Sequence, residues 1–87
     1  MSERVGKYFD NIIRFLQLHP IVENVVIERR IVTRSRGYFK ATVNFLDRSQ
    51  LHIRELIGDG LRKLDYAYHY QNSGGKLVFR YDNAPHQ

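Results

Sequence analysis

After Pro20 the apolar residues of this chain change spacing, from the three-and-four period of a helix to the every-second-residue period of strands. From there on no connection is long enough to hold a crossover helix. The breaks are Arg34-Ser35-Arg36-Gly37, Asp47-Arg48-Ser49, Asp59-Gly60 and Ser73-Gly74. A parallel pair needs a crossover of about a dozen residues or more, so strands joined by breaks this short must be antiparallel neighbours. The spacing predicts strands over Val22–Thr33, Tyr38–Leu46, Gln50–Gly58, Leu61–Gln71 and Lys76–Asp82, in an up-and-down meander. Ahead of Pro20, the apolar positions Val5, Tyr8, Phe9, Ile12, Ile13 and Leu16 fall on one helical stripe. Ser2 is placed as N-cap and Glu3 lies in the first turn. The helix should stop near His19, because proline disfavours helical geometry in the residue before it. His19 then serves as a partner for the helix C-terminal dipole. The expected fold class is α+β: one domain over residues 1–87, with an N-terminal helix packed on a five-stranded antiparallel sheet.

Turn chemistry gives a trial register. Read as a two-residue turn, Ser73-Gly74 sets Tyr68 opposite Phe79, Tyr66 opposite Tyr81, Tyr70 opposite Leu77 and Ala67 opposite Arg80. A two-residue Asp59-Gly60 turn sets Leu51 opposite Tyr68, Ile53 opposite Tyr66 and Glu55 opposite Leu64. A three-residue Asp47-Arg48-Ser49 loop brings Phe45 to Leu51, Val43 to Ile53, Ala41 to Glu55 and Phe39 to Ile57. Extension to the first strand aligns Ile31 with Phe39, Ile27 with Val43 and Val25 with Phe45. Since side chains alternate, one face is apolar across all the strands and is the surface the helix should cover. Glu55 breaks that face. In this register it shares a row with Arg29, on either side of Ala41, as a partly buried ion pair or, if the helix leaves this end open, as a general base in a cleft.

The opposite face carries Glu28, Arg30, Lys40, Thr42, Asn44, His52, Arg54, Asp65, His69, Arg80 and Asp82. Most of these suit the solvated side of a sheet. His69 and Arg80 are diagonal neighbours beside the small Ala67, with His52 opposite Ala67, and this group stands apart. Two titratable imidazoles next to a permanent cation can supply acid, base and phosphate clamp without a metal. The carboxylates form no metal-binding or metalloprotease pattern, so neither a metal nor another cofactor is expected.

The 87 residues carry 14 Lys and Arg against 9 Asp and Glu, a net charge of +5, which favours an anionic partner. There is no cysteine, hence no disulfide framework. No apolar run approaches the ~20 residues of a membrane span, and the N-terminus lacks a signal peptide's apolar stretch, so a cytoplasmic protein with no membrane association is expected. One helix can hardly cover five strands. Part of the apolar face is therefore expected to be buried against a partner or a second copy, as a dimer or other homo-oligomer.

Tyr68-His69-Tyr70-Gln71, then a glycine turn, then Leu77–His86 reading LVFRYDNAPH, with Leu51–Glu55 reading LHIRE earlier, resembles the TumE family of small toxins. The likeness spans about the last half of the chain. It implies the toxin of a type II toxin–antitoxin pair, acting as an endoribonuclease on RNA and neutralised by a helix-turn-helix antitoxin. On the matching positions it carries over Glu55, His69, Arg80, Asp82, Asn83 and His86. Members of the family continue past this motif with a further histidine-containing segment, whereas this sequence stops at Gln87. The implied reaction is a metal-independent transesterification. His69 or Glu55 would take the 2′-hydroxyl proton, Arg80 would stabilise the phosphorane and His86 or His52 would protonate the leaving 5′-oxygen. Arg30, Lys40 and Arg54 would hold the backbone, with Asp82 and Asn83 folding the tail over the same face. The competing class is a binding module that docks nucleic acid or an acidic protein on its basic face without chemistry.

Overall fold

A computed structural model describes residues 2–83, with side chains from Arg4 onward. The chain runs α1 (Ser2–Leu18), β1 (Val22–Val32), β2 (Gly37–Phe45), β3 (Gln50–Ile57), a single 3-10 turn (Asp59–Leu61), β4 (Lys63–Gln71) and β5 (Leu77–Asp82). The strands form one antiparallel sheet in the order β1-β2-β3-β4-β5. This is the α+β architecture expected from the change of period at Pro20, with boundaries within two residues of those read from the sequence. His86 lies outside the described residues, and the Ser2 cap and Glu3 side chain lie outside the described side chains. Among the described residues no helix is long and apolar enough to cross a membrane.

The trial register was wrong by two residues at most positions. Tyr68 faces Tyr81 instead of Phe79, and Ile53 faces Tyr68 instead of Tyr66. Ala41 faces Ile53 instead of Glu55, and Val43 faces Val25 instead of Ile27. The hairpins close differently from the turns assumed. Asn72 N–H donates to the Lys76 carbonyl at 2.9 Å, so the loop takes in Ser73, Gly74 and Gly75, with Gly75 at φ 81°. Gly58 N–H donates to the Arg62 carbonyl at 2.8 Å, so Leu61 leaves its strand and joins the turn. Each of these loops is one residue longer than a type I′ turn, and each is followed by a bulge that adds the second residue of slip. In β2–β3 the loop instead closes one residue earlier, where Phe45 N–H donates to the Ser49 carbonyl at 3.0 Å with Arg48 at φ 73°.

A slip of two preserves which face each side chain occupies. The exception lies in β1, where a bulge between Ile27 and Arg29 inserts Glu28 and reverses the alternation beyond it. Arg30, expected on the polar face, thus points to the helix side. Its guanidinium donates to the Gly6 carbonyl at 3.2 Å and to Asp10 at 3.0 Å. Ile31 is correspondingly left 42% exposed.

The core is Val5 and Phe9 of α1 set on Phe39, Ala41, Val43, Ile53 and Ile57. Phe9 stacks on Phe39 with ring centroids 5.1 Å apart. At Gly37 the helix side chains approach the sheet backbone closely, since a Cβ there would fall 2.2 Å from Val5 Cγ1. The helix lies over β1 and β2 and leaves the same face of β4 and β5 uncovered. Phe15 is 70% exposed and Phe79 50% exposed on either side of the resulting groove.

Candidate functional site

The two-residue slip gathers the polar-face residues more tightly than the trial register did. Thr42 of β2 faces His52 of β3, His52 faces His69 of β4, and His69 faces Arg80 of β5. These four side chains form one row across adjacent strands, where neighbours are about 4.7–4.9 Å apart. The two imidazoles meet edge to face with centroids 5.9 Å apart. Arg80, which was expected to be diagonal to His69, stands directly opposite it and is exposed, its Nε donating to Asp82 at 3.2 Å.

Ala67 floors a recess of about 320 Å³ bounded by His52, His69, Arg54, Lys40 and Glu28. Arg80 stands outside that recess. Lys40 pairs with Glu28 at 3.8 Å and Arg54 with Asp65 at 3.7 Å, so both cations remain half exposed on the rim. The small side chain at Ala67 leaves room that any larger residue would fill. Among the described residues no group of His, Cys, Asp and Glu is arranged to hold a metal ion.

His52 has a partner that sequence reasoning did not assign. Its Nδ1 lies 3.0 Å from the Thr42 hydroxyl, and that hydroxyl donates to Glu28 Oε1 at 2.5 Å. Glu28, Thr42 and His52 were all placed on the polar face; the trial register already set Thr42 opposite Glu28, but only the true register sets it opposite His52. One row further along, Gln71 donates to Gln50 at 2.9 Å, Gln50 to Asn44 at 2.8 Å and Asn44 to Asn24 at 2.8 Å. This amide ladder ties four strands together beside the histidines.

Glu55 belongs to a separate cluster on the opposite face. It is 3% exposed and accepts hydrogen bonds from Tyr8 at 2.7 Å and from the Tyr68 hydroxyl. Its ion-pair partner is Lys63 at 3.5 Å, not Arg29, because Arg29 faces Lys40 on the polar side of β1. Lys63 also donates to the Tyr68 hydroxyl at 2.9 Å and lies over the rings of Tyr66 and Tyr68. Burial, reinforced by hydrogen bonding to Glu55, pushes the phenols of Tyr8 and Tyr68 well above the ordinary tyrosine range. With its oxygens taken by phenols and an ammonium, Glu55 is the anchor of α1 on β3 and β4. It borders the groove of about 850 Å³ left beside α1, whose walls are otherwise largely apolar side chains such as Ile12, Phe15, Leu51 and Phe79.

The remaining sequence candidates are placed as follows. Asn83 caps the β4–β5 pair, its Oδ1 accepting from Tyr66 N–H at 2.9 Å. Asp82 sits opposite Ala67 and holds Arg80. Arg30 is on the helix side with Asp10. His19 accepts from Ile21 N–H through Nδ1 at 3.4 Å, closing the turn after α1.

A sequence model of the family described as Toxin TumE matches residues 12–87 of this chain, a span that takes in the C-terminal part of α1, the whole sheet and both histidines of the row. The chain matches no curated protein and no solved structure.

Proposed function

The chain belongs to the TumE family, the toxins of toxin–antitoxin pairs, and from that premise we propose that it inhibits growth as a metal-independent endoribonuclease whose site is the polar-face row. The observation that carries this reading is the alignment of His52, His69 and Arg80 on adjacent strands, with the two histidines lining an open recess and Arg80 next to it on the edge strand. Two imidazoles side by side can serve one as base and one as acid. The base takes the proton of a ribose 2′-hydroxyl, O2′ bonds to the adjacent phosphorus, the bond from phosphorus to O5′ breaks, and the acid gives its proton to that oxygen. The products are a 2′,3′-cyclic phosphate and a free 5′-hydroxyl. Acid and base steps of this kind contribute about 10²–10⁴-fold each. Arg80, fixed in charge and exposed, is suited to the phosphorane, where charge develops in the transition state. Lys40 and Arg54 on the rim hold flanking phosphates, which makes binding salt-sensitive.

Glu55 takes no part in this chemistry, because its oxygens are buried and engaged on the other face. The antitoxin that the family implies, a helix-turn-helix protein by the sequence resemblance, has an apolar surface available to it in the groove beside α1. The test is to induce the wild-type chain and a His69→Ala, Arg80→Ala double variant in a bacterial host and to follow growth and total RNA. Arrest with RNA fragmentation by the wild type alone is the expected result. Equal arrest by both would remove the site from this face. Arrest by neither would leave a basic binding module as the better account.

A further inference from the structure

Thr42 has one hydroxyl proton and two close partners. Its oxygen lies 2.5 Å from Glu28 Oε1 and 3.0 Å from His52 Nδ1. A carboxylate accepts and cannot donate, so the hydroxyl proton is committed to Glu28. The Thr42 oxygen is left as an acceptor toward His52, and the contact at Nδ1 is a hydrogen bond only if that nitrogen carries a proton. Thr42 is 9% exposed and cannot readily turn to water for another arrangement. Lys40 draws the second Glu28 oxygen, at 3.8 Å, and holds the carboxylate in place. His69 has no such constraint: among the described residues no side chain hydrogen-bonds either of its ring nitrogens.

We infer that Glu28 and Thr42 are positioning residues that hold His52 with its proton on Nδ1 and its lone pair on Nε2, making His52 the general base of the site and leaving the acid role to His69. This rests on the ribonuclease reading above and assigns the two histidines within it. Nε2 of His52 takes the 2′-hydroxyl proton. The imidazolium that forms is stabilised by the Thr42 oxygen and, through it, by Glu28. His69 releases its proton to O5′, and the two rings return to their starting states by exchange with solvent. The arrangement parallels the use of an acidic group to fix a histidine tautomer in hydrolytic triads, with a threonine hydroxyl interposed.

Two measurements on the full-length chain test this. Nitrogen-15 spectra of labelled protein at alkaline pH report which ring nitrogen of His52 carries the proton, with no need for substrate. The wild type should show a protonated Nδ1 and an unprotonated Nε2. Thr42→Val should lose that preference and Thr42→Ser should keep it. Glu28→Gln should reverse it, because the new amide donates to Thr42 and frees the hydroxyl proton for His52. Cleavage of total bacterial RNA is then compared across the same variants. Thr42→Val should be slower by up to about tenfold, the equivalent of one net hydrogen bond, with recovery in Thr42→Ser, while His52→Ala should lose roughly 10²-fold or more.

A wild-type His52 protonated on Nε2 overturns the inference even if RNA is cleaved. A protonated Nδ1 with cleavage unaffected by Thr42→Val overturns the positioning role. If the wild type cleaves no RNA, the base assignment falls together with the ribonuclease reading, and the nitrogen spectra show separately whether the hydrogen-bonded chain was correct.

Discussion

Replacing Glu55 by Gln separates an anchor from a catalyst. The substitution keeps the shape of a side chain that is 3% exposed and removes only its charge. Two phenols donate to the carboxylate, Tyr8 at 2.7 Å and Tyr68 from the opposite side. Hydrogen bonds to a charged acceptor contribute about 1.5–3 kcal/mol and neutral ones about 0.5–1.5 kcal/mol, so each bond loses about 1 kcal/mol. One phenol must also reorient to accept from the new amide. The Lys63 ammonium, 43% exposed, forfeits its ion pair for at most ~1 kcal/mol, since water screens it. The sum is about 2–3 kcal/mol. In a domain of this length each kcal/mol moves the midpoint by roughly 4–8 °C, so thermal unfolding should shift down by roughly 10–20 °C. Circular dichroism melts give the midpoint, and RNA cleavage well below it gives the activity of the folded variant. A midpoint within about 2 °C of wild type would refute the anchoring argument. A folded Glu55→Gln protein that no longer cleaves RNA would return Glu55 to the catalytic site.

Other perturbations follow from the same packing. Phe9→Ala removes a fully buried ring stacked on Phe39 and should cost about 3–5 kcal/mol in urea unfolding, while a loss below about 1 kcal/mol would mean the helix is not seated on the sheet as described. Gly37→Ala drives a methyl into Val5 and Phe9 and should destabilise by about 1–3 kcal/mol; an unchanged denaturation midpoint would refute the close approach. Tyr8 and Tyr68 hold their phenol protons more tightly when folded than the value of 10.0 expected unfolded. Above about pH 10 the unfolded chain releases these protons first, so stability is unaffected below that pH and falls as pH rises beyond it. Melts between about pH 9 and pH 11 should therefore decline more steeply for wild type than for Tyr68→Phe, and parallel curves would contradict the buried phenol cluster.

The order of elements was legible because each depends on local features. Pro20 ends α1, the short breaks forbid crossovers, and alternation assigns Tyr66, Tyr68, Tyr70, Phe79 and Tyr81 to one face and His52, His69 and Arg80 to the other. Side-chain alternation is a property of extended backbone, and a slip of two residues leaves it intact. Who stands opposite whom was not legible. Gly75 and Leu61 adopt positive φ in loops one residue longer than the shortest that their sequences permit, and the bulges that follow carry no sequence mark of their own. Both loop lengths are compatible with the same local sequence, so the choice between them falls to the pairing and packing of the whole sheet. That selection put His52 beside His69 and Thr42 beside His52. The bulge at Glu28 turned Arg30 toward Asp10 and kept Arg29 away from Glu55. The fate of Glu55 was decided by where the helix lies, because Tyr8 reaches it only from a helix seated over β1 and β2. Faces are set by covalent geometry that each residue carries with it, whereas partners are set by loop closure and core packing, which exist only once the whole chain is folded.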